Sequence, residues 1–298
     1  MHVFVTGATG WIGSAAVDQL LHAGHKVTGL ARSDASATAL EAKGAQALRG
    51  DLDHLDSLRT GAAEADAVVH LANKHDWANP AVTNKAERDA VQTIGDTLAG
   101  SHRPFVLASG LSFLTPGRVA TEQDASPFHG PDSARGGSEN LALDFVPKGV
   151  NTIVVRFAPT VHGDGDQGFM AGLVATARAK TLAGYIDAGT NRWAAIHRGD
   201  AGRIVRLALD KQAPAGTILH AVAETGIPTH DIAEVIGRGL DLPITSIPTD
   251  RAGDHFGWLT RFFGTDMAAS SDTTRTLLGW TPSGPTLAED LDSGCYYR

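Results

Sequence analysis

TGATGWIG, residues 6–13, is the stretch on which the fold turns. Its glycines at 7, 10 and 13 follow a strand-like run, HVFVT (2–6), and open a helical pattern, IGSAAVDQLLHAG. In that pattern Ile12, Ala16, Leu20 and Ala23 recur every three or four residues, and Gly24 stands where a helix would stop. A second strand-like run, HKVTGLA (25–31), closes a unit of about thirty residues, the size of a dinucleotide-binding βαβ. Each glycine has a physical task. Gly7 permits the tight turn, Gly10 lets backbone approach a diphosphate, and Gly13 allows close helix–sheet packing. The helix start then offers unpaired N–H groups and a positive dipole end to the anion. Gly7, Thr9, Gly10, Trp11, Ile12 and Gly13 form the expected cofactor loop.

Outward from this unit the alternation continues. DAVVHLA (66–72), PFVLAS (104–109) and VNTIVVRF (150–157) are short apolar runs suited to central strands covered on both faces, with helical patterns between them. The expected fold is α/β: a doubly wound parallel (Rossmann) sheet with a smaller, interleaved carboxyl-terminal lobe. Residues 1–161, joined by 196–224 with its late strand GTILHAV (216–222), make the nucleotide domain; 162–195 and 225–298 make the substrate lobe. PTHDIAEVIGRGL reads as a helix with proline in its first turn and Thr229 near its cap.

The end of the second strand selects the coenzyme. An acid there would bind the ribose 2′-hydroxyl of NAD, but the residues are Ala31, Arg32 and Ser33. A guanidinium can fork onto a 2′-phosphate and a serine can add a bond, so NADP(H) is expected. The competing assignment makes Arg32 a solvated loop residue, Ser33 a helix cap and Asp34 the ribose acid.

Bulk properties exclude other classes. A net charge of −8 argues against a nucleic-acid partner, and no apolar run approaches the length of a membrane span. The amino terminus enters a strand without a leader pattern, and the one cysteine, Cys295, suits a reducing compartment, so a cytoplasmic location is expected. The thirteen histidines show no zinc spacing, and no metal site is expected.

At several further places the chain resembles the extended short-chain dehydrogenases/reductases and their NAD-dependent epimerase/dehydratase relatives. TGATGWIG looks like their glycine loop. RGDLDHLDSL (49–58) is similar to their adenine-contacting segment, with Asp51 and Leu52 at the contact positions. VVHLA (68–72), which ends in Leu71 and Ala72, resembles the strand end beneath the diphosphate. RFAPTVHGDGD (156–166), with Pro159 and Val161, resembles the segment against the nicotinamide ribose. AAIHRGDAGRI (194–204) and SSDTTRTLLGWTPSG (270–284) resemble the domain-closing segment and the ending of these proteins. The resemblance implies fold and coenzyme. It also implies a tyrosine, a lysine four residues later and an upstream serine or threonine, and here the chain departs from it. In ARGGSEN (134–140) Arg135 stands at the tyrosine position and Glu139 at the lysine position. Gly110 takes the usual serine's place beside Ser109 and Ser112, and Asp89 stands for a usual asparagine. The chain therefore resembles the atypical branch, which keeps the coenzyme cradle and varies the catalytic groups.

Three residues are the catalytic candidates. Arg135 could steady an alkoxide as a fixed cation, with Glu139 one turn on orienting it. The plainer reading, which the spacing favours, is an i,i+4 ion pair on an exposed helix face. Ser109 ends a core strand where the nicotinamide would lie, and capping of the following loop is its alternative. Histidine is the residue type whose charge changes near neutral pH, so His129, in the loop after Ser109, could supply a proton, as could His75 beside Asp76. His162 and His197 rank lower. Trp77, Phe113, Phe169, Trp193, Phe256 and Trp258 are candidates to line an apolar substrate pocket. The expected activity is NADPH-dependent reduction of a small ketone, aldehyde or imine; a redox-sensing regulator and a sugar-nucleotide epimerase or dehydratase are the alternatives. Beyond the small-molecule substrate, a homodimer through helices near 84–100 and 133–148 is expected by analogy with relatives.

Overall fold

The computed structural model of the protein describes residues 1–76, 78–115 and 117–298. In chain order its strands are β1 (His2–Thr6), β2 (Lys26–Ala31), β3 (Gln46–Arg49), β4 (Ala67–His70), β5 (Pro104–Gly110) and β6 (Asn151–Phe157). There follow β7 (Thr160–His162), β8 (Ala183–Ile186), β9 (Arg192–His197), β10 (Thr217–Ala221), β11 (Glu224–Pro228) and β12 (Ile244–Ile247). Seven of them form one sheet in the order β10-β6-β5-β4-β1-β2-β3, every pair parallel. The strand order reverses between β1 and β4. In such sheets that reversal opens a crevice at the carboxyl ends of the strands, where ligands bind.

The main helices are α1 (Trp11–His22), α2 (Asp34–Ala42), α3 (Leu55–Glu64), α4 (Pro80–Leu98), α5 (Ser138–Leu143), α6 (Phe169–Lys180), α7 (Arg198–Asp210) and α8 (Thr229–Leu240). Successive side chains of a strand point to opposite faces, and both faces here are apolar. Val3, Val5, Val106 and Val155 pack with α1 and α7, burying Leu20 and Ile204. Phe4, Val68, Phe105 and Leu107 pack on the other side against Leu58 of α3, Ile94 of α4 and Ala142 of α5. Each fully buried valine or leucine contributes about 1.5–3 kcal/mol, so this double-sided core dominates the stability of the sheet.

The smaller lobe carries a three-stranded sheet, β11-β9-β7, and a two-stranded one, β12-β8. Its core gathers Met170, Trp193, Ile232, Phe256 and Phe263. Asp200, at the start of α7, fastens the chain's ending to the large domain. Its carboxylate accepts from the Ser283 amide at 2.8 Å, the Gly284 amide at 2.7 Å and Trp280 Nε1 at 3.4 Å. The two closing segments singled out in the sequence thus meet in space.

Some local readings change. β3 is a strand that sequence pattern did not isolate, because QALR is short and half-exposed. β4 stops at His70, so Leu71 and Ala72 lie beyond it. Pro228 is the residue before α8 rather than part of its first turn, and the Thr229 hydroxyl donates to Asn191 instead of capping the helix. The largest change lies at 134–137. The chain there makes a 3₁₀ turn in which Arg135, Gly136 and Gly137 all adopt left-handed backbone angles, and α5 begins only at Ser138. Arg135 and Glu139 therefore do not share one helix face.

Candidate active site

The glycine loop joins β1 to α1 and sits against the end of β4. Gly7 has φ +66°, and a Cβ there would lie 2.7 Å from the Ala72 nitrogen. A Cβ on Gly13 would lie 2.0 Å from the Gly7 carbonyl oxygen. Both positions exclude side chains because backbone already fills the space. Gly10 is exposed, and α1 starts after it with no side-chain cap and no acid in its first turn. The first amides of a helix have no intrahelical acceptor, so α1 presents free donors and a positive dipole end at the crevice. That arrangement fits a diphosphate. Thr9 is exposed beside it, while Trp11 and Ile12 are half-buried. Trp11 Nε1 donates to the Val161 carbonyl at 2.7 Å, and the Arg198 guanidinium stacks on its ring at 4.3 Å. Trp11 thereby ties the glycine loop to the segment carrying Pro159 and Val161.

At the far end of β2, Arg32 and Ser33 are both exposed. Ser33 caps α2, accepting from the Ser36 amide at 3.2 Å, which is the cap role weighed for it from sequence. Asp34 lies 3.1 Å from Arg49, and Arg32 has no ion pair among the described residues. Asp51 shapes the turn after β3. Burial works to raise its carboxyl, but the hydrogen bond from His54 and the amides of Asp53 and His54 outweigh it and hold the group below its usual value. Leu52 is buried in the adjoining core.

Two polar networks occupy the carboxyl ends of the strands. Side chains of Thr6, His70, Ser109, Arg156 and His220 follow the alternation onto the face covered by α3, α4 and α5. Ser109, Arg156 and His220 stand abreast in register across β5, β6 and β10. Ser109 Oγ donates to Glu139 Oε2 at 2.5 Å. Arg156, fully buried, grips Glu139 with Nη2 at 2.5 Å and Nε at 3.1 Å. Its Nη1 lies 3.4 Å from His220 Nε2. Burial holds His220 below its usual pKa, so the ring is neutral, and its Nδ1 lies 2.8 Å from the Ser270 carbonyl. An ion pair this deep is costly to form and costlier to break.

The second network surrounds Glu87, a buried residue of α4. Arg135 Nη2 donates to Glu87 Oε1 at 2.5 Å, and Asn73 Nδ2 donates to Oε2 at 3.2 Å. His70 Nε2 stands 3.9 Å from the same carboxylate, and Nδ1 lies 2.7 Å from Thr6 Oγ1. Burial lowers the pKa of His70, with Glu87 opposing and Arg135 adding to the shift. His75 is shifted the same way for the same reasons.

These contacts overturn the pairing of Arg135 with Glu139. Each is paired with a different residue: Arg135, about a third exposed, holds Glu87, and the buried Glu139 holds Arg156. Ser109 joins the Glu139 network, and Arg135 lies in the neighbouring one. His129 is exposed on its loop, 3.4 Å from Asn140 Nδ2. Asp89 pairs with Lys85 along the outer side of α4. His162, fully buried in the smaller lobe, hydrogen-bonds Asp290 at 2.5 Å, and its ring lies 5.7 Å from that of His197. Sequence reasoning missed Glu87, Arg156 and His220 as members of the site. One signal was available: Arg156 sits inside an apolar strand, where a buried guanidinium requires a partner.

Above Ser109 the chain turns into the smaller lobe. Phe113 meets Phe262 at 5.8 Å, and Phe262 meets Phe169 at 4.9 Å. Phe169 in turn meets Trp193 at 5.4 Å and Trp258 at 5.7 Å, while Phe256 packs on Phe263 in the lobe's core. Trp77 lies outside the described residues. His75, Phe113 and Arg135 all adopt left-handed backbone conformations, which non-glycine residues seldom do, and all three flank the carboxyl ends of β4 and β5.

Comparison with known proteins agrees with this architecture. The family model described as "NAD dependent epimerase/dehydratase family" matches residues 3–220. The chain belongs to that family, within the extended short-chain dehydrogenase/reductase superfamily. Uncharacterized protein YLL056C of Saccharomyces cerevisiae is 43% identical over 295 residues, covering 98% of each chain. A ketoreductase of Stigmatella aurantiaca, acting on 4-hydroxy-2-methyl-3-oxo-4-farnesyl-3,4-dihydroquinoline-1-oxide, is 26% identical over 273 residues, covering 86% of this chain and 80% of the relative. Among solved structures, a dTDP-glucose 4,6-dehydratase from Streptomyces venezuelae with NAD bound superposes with TM-score 0.78 at 19% identity, covering 100% of this chain and 97% of that one. That likeness concerns the fold. No helix among the described residues is long and apolar enough to cross a membrane.

Proposed function

We propose that the protein is an NADP(H)-dependent oxidoreductase of the carbonyl-reductase kind, acting on a small ketone, aldehyde or imine from an active site without the tyrosine–lysine pair. The glycine loop carries this reading. Its backbone amides and the uncapped start of α1 suit a diphosphate, and Arg32, exposed past the end of β2, suits a 2′-phosphate. The coenzyme, when bound, supplies the hydride. Asp51 and Leu52 would hold the adenine end, Leu71 and Ala72 the diphosphate, and Pro159 and Val161 the nicotinamide ribose. Ser109 borders the substrate's oxygen or accepts from the coenzyme amide, Arg135, fixed by Glu87, offers its remaining donors to developing negative charge, and His129 or water supplies the proton that completes the alcohol. The Stigmatella aurantiaca ketoreductase supports carbonyl chemistry on this fold. A cytoplasmic setting and a homodimer through α4 and the 133–148 segment belong to the same proposal.

Fluorescence titration with NADPH and NADH, followed by turnover of a panel of ketones, aldehydes and cyclic imines, tests it. Tighter binding of NADPH with reduction of at least one carbonyl is expected. Tight coenzyme binding without any turnover would leave a redox-sensing regulator in its place.

A further inference from the structure

The hydrogen bonds beneath β5 run in one direction. Only an N–H can satisfy the Ser270 carbonyl 2.8 Å from His220 Nδ1, so the proton sits on that nitrogen and Nε2 accepts from Arg156. Arg156 has donors only, and it gives Nε and Nη2 to Glu139. Ser109 supplies a third donor to that carboxylate, at 2.5 Å. A serine hydroxyl has a single proton. With that proton committed inward, Ser109 turns only lone pairs towards the cleft.

We propose that Glu139 sets the polarity of the reactive end of the site, and that Ser109 there receives a hydrogen bond from a substrate hydroxyl. Of an alcohol and the carbonyl compound it corresponds to, the site holds the alcohol more tightly. Phe113, four residues beyond Ser109, leads to Phe262 and Phe169, so the alcohol that fits carries an apolar ring. The inference rests on reading the end of β5 as the substrate site, and it gives that site a preferred ligand class. Glu139 acts here through Ser109 and is a positioning residue.

Cyclohexanol and cyclohexanone differ at the atom that matters and little else, which makes them suitable probes. Their binding to the full chain without coenzyme, followed by protein NMR shifts, should favour cyclohexanol by about tenfold, the worth of one hydrogen bond to a charge-linked acceptor. Ser109→Ala leaves the Glu139–Arg156 pair intact and should abolish the preference. Glu139→Gln gives Ser109 an amide donor, frees its proton, and should shift the preference towards cyclohexanone. If that variant does not fold, Ser109→Ala decides alone. Equal binding, tighter binding of the ketone, no binding of either probe, or a preference that survives Ser109→Ala would overturn the proposal. A separate NADPH titration keeps the two readings apart: a preference for the alcohol in a protein that binds no NADPH would remove the coenzyme assignment and leave the polarity of Ser109 standing.

Discussion

The glycine loop and the end of β5 lie on the same edge of one sheet, yet they relate to sequence in opposite ways. The loop is shaped by backbone contacts, so its sequence is constrained to residues that leave the backbone uncovered: Gly7 beside Ala72, and Gly13 over the Gly7 carbonyl. The end of β5 is built from side chains, which can be exchanged as long as every buried charge keeps a partner. Glu139 is such a charge, and Arg156 on β6 neutralises it. A cradle made of backbone therefore restricts its sequence to small residues, whereas a network of side chains asks only that its buried charges stay matched.

This contrast can be broken most forcefully at Arg156. Arg156→Leu strands Glu139 as an unpaired buried charge and should cost about 3–5 kcal/mol, read as a lower urea midpoint. Replacing Glu139 and Arg156 together with leucine should recover most of that loss, because the desolvation of both charges disappears with the pair. If the single and double variants are equally unstable, the two residues are not a compensating pair.

On the backbone side, Gly13→Ala forces its Cβ against the Gly7 oxygen and displaces the loop. Coenzyme affinity should fall about 100-fold, near 2.8 kcal/mol, in a fluorescence titration. Arg32→Ala should weaken NADPH about tenfold and leave NADH unchanged, since only one of them carries the phosphate. An equal effect on both would assign Arg32 to the loop alone.

Acid should reach the side-chain networks before the loop. Burial lowers the pKa of His70 in the folded protein, whereas in the unfolded chain it titrates near the ordinary histidine value of about 6.5. The unfolded state therefore binds the proton first as pH falls. The contribution of His70 is full above that value and is lost below it, by about 1.4 kcal/mol per pH unit until the folded pKa is reached. Urea midpoints at pH 7.5 and 5.5 measure the combined slope of His70 and the other buried histidines, His75 and His220 among them, and His70→Gln should make it shallower by the share of one group. Smallest of all, Ser33→Ala removes the α2 cap and should cost about 1 kcal/mol with little change in NADPH affinity. A large affinity loss would instead make Ser33 a phosphate ligand.

The alternating pattern of TGATGWIG and the apolar runs after it determined the doubly wound sheet and the family, because strand and helix periods and steric demands for glycine are local and leave a mark at each position. The late strand β10, which joins the sheet beside β6, was legible for the same reason, whereas β3 was too short and too exposed to carry the signal. The partners of Arg135 and Glu139 were decided by tertiary structure alone. A left-handed turn at 135–137 delays α5 by a few residues and sends the two side chains to opposite carriers of charge, Glu87 on α4 and Arg156 on β6. Spacing of four residues implies a contact only where the helix is continuous, and whether it is continuous depends on what the turn packs against.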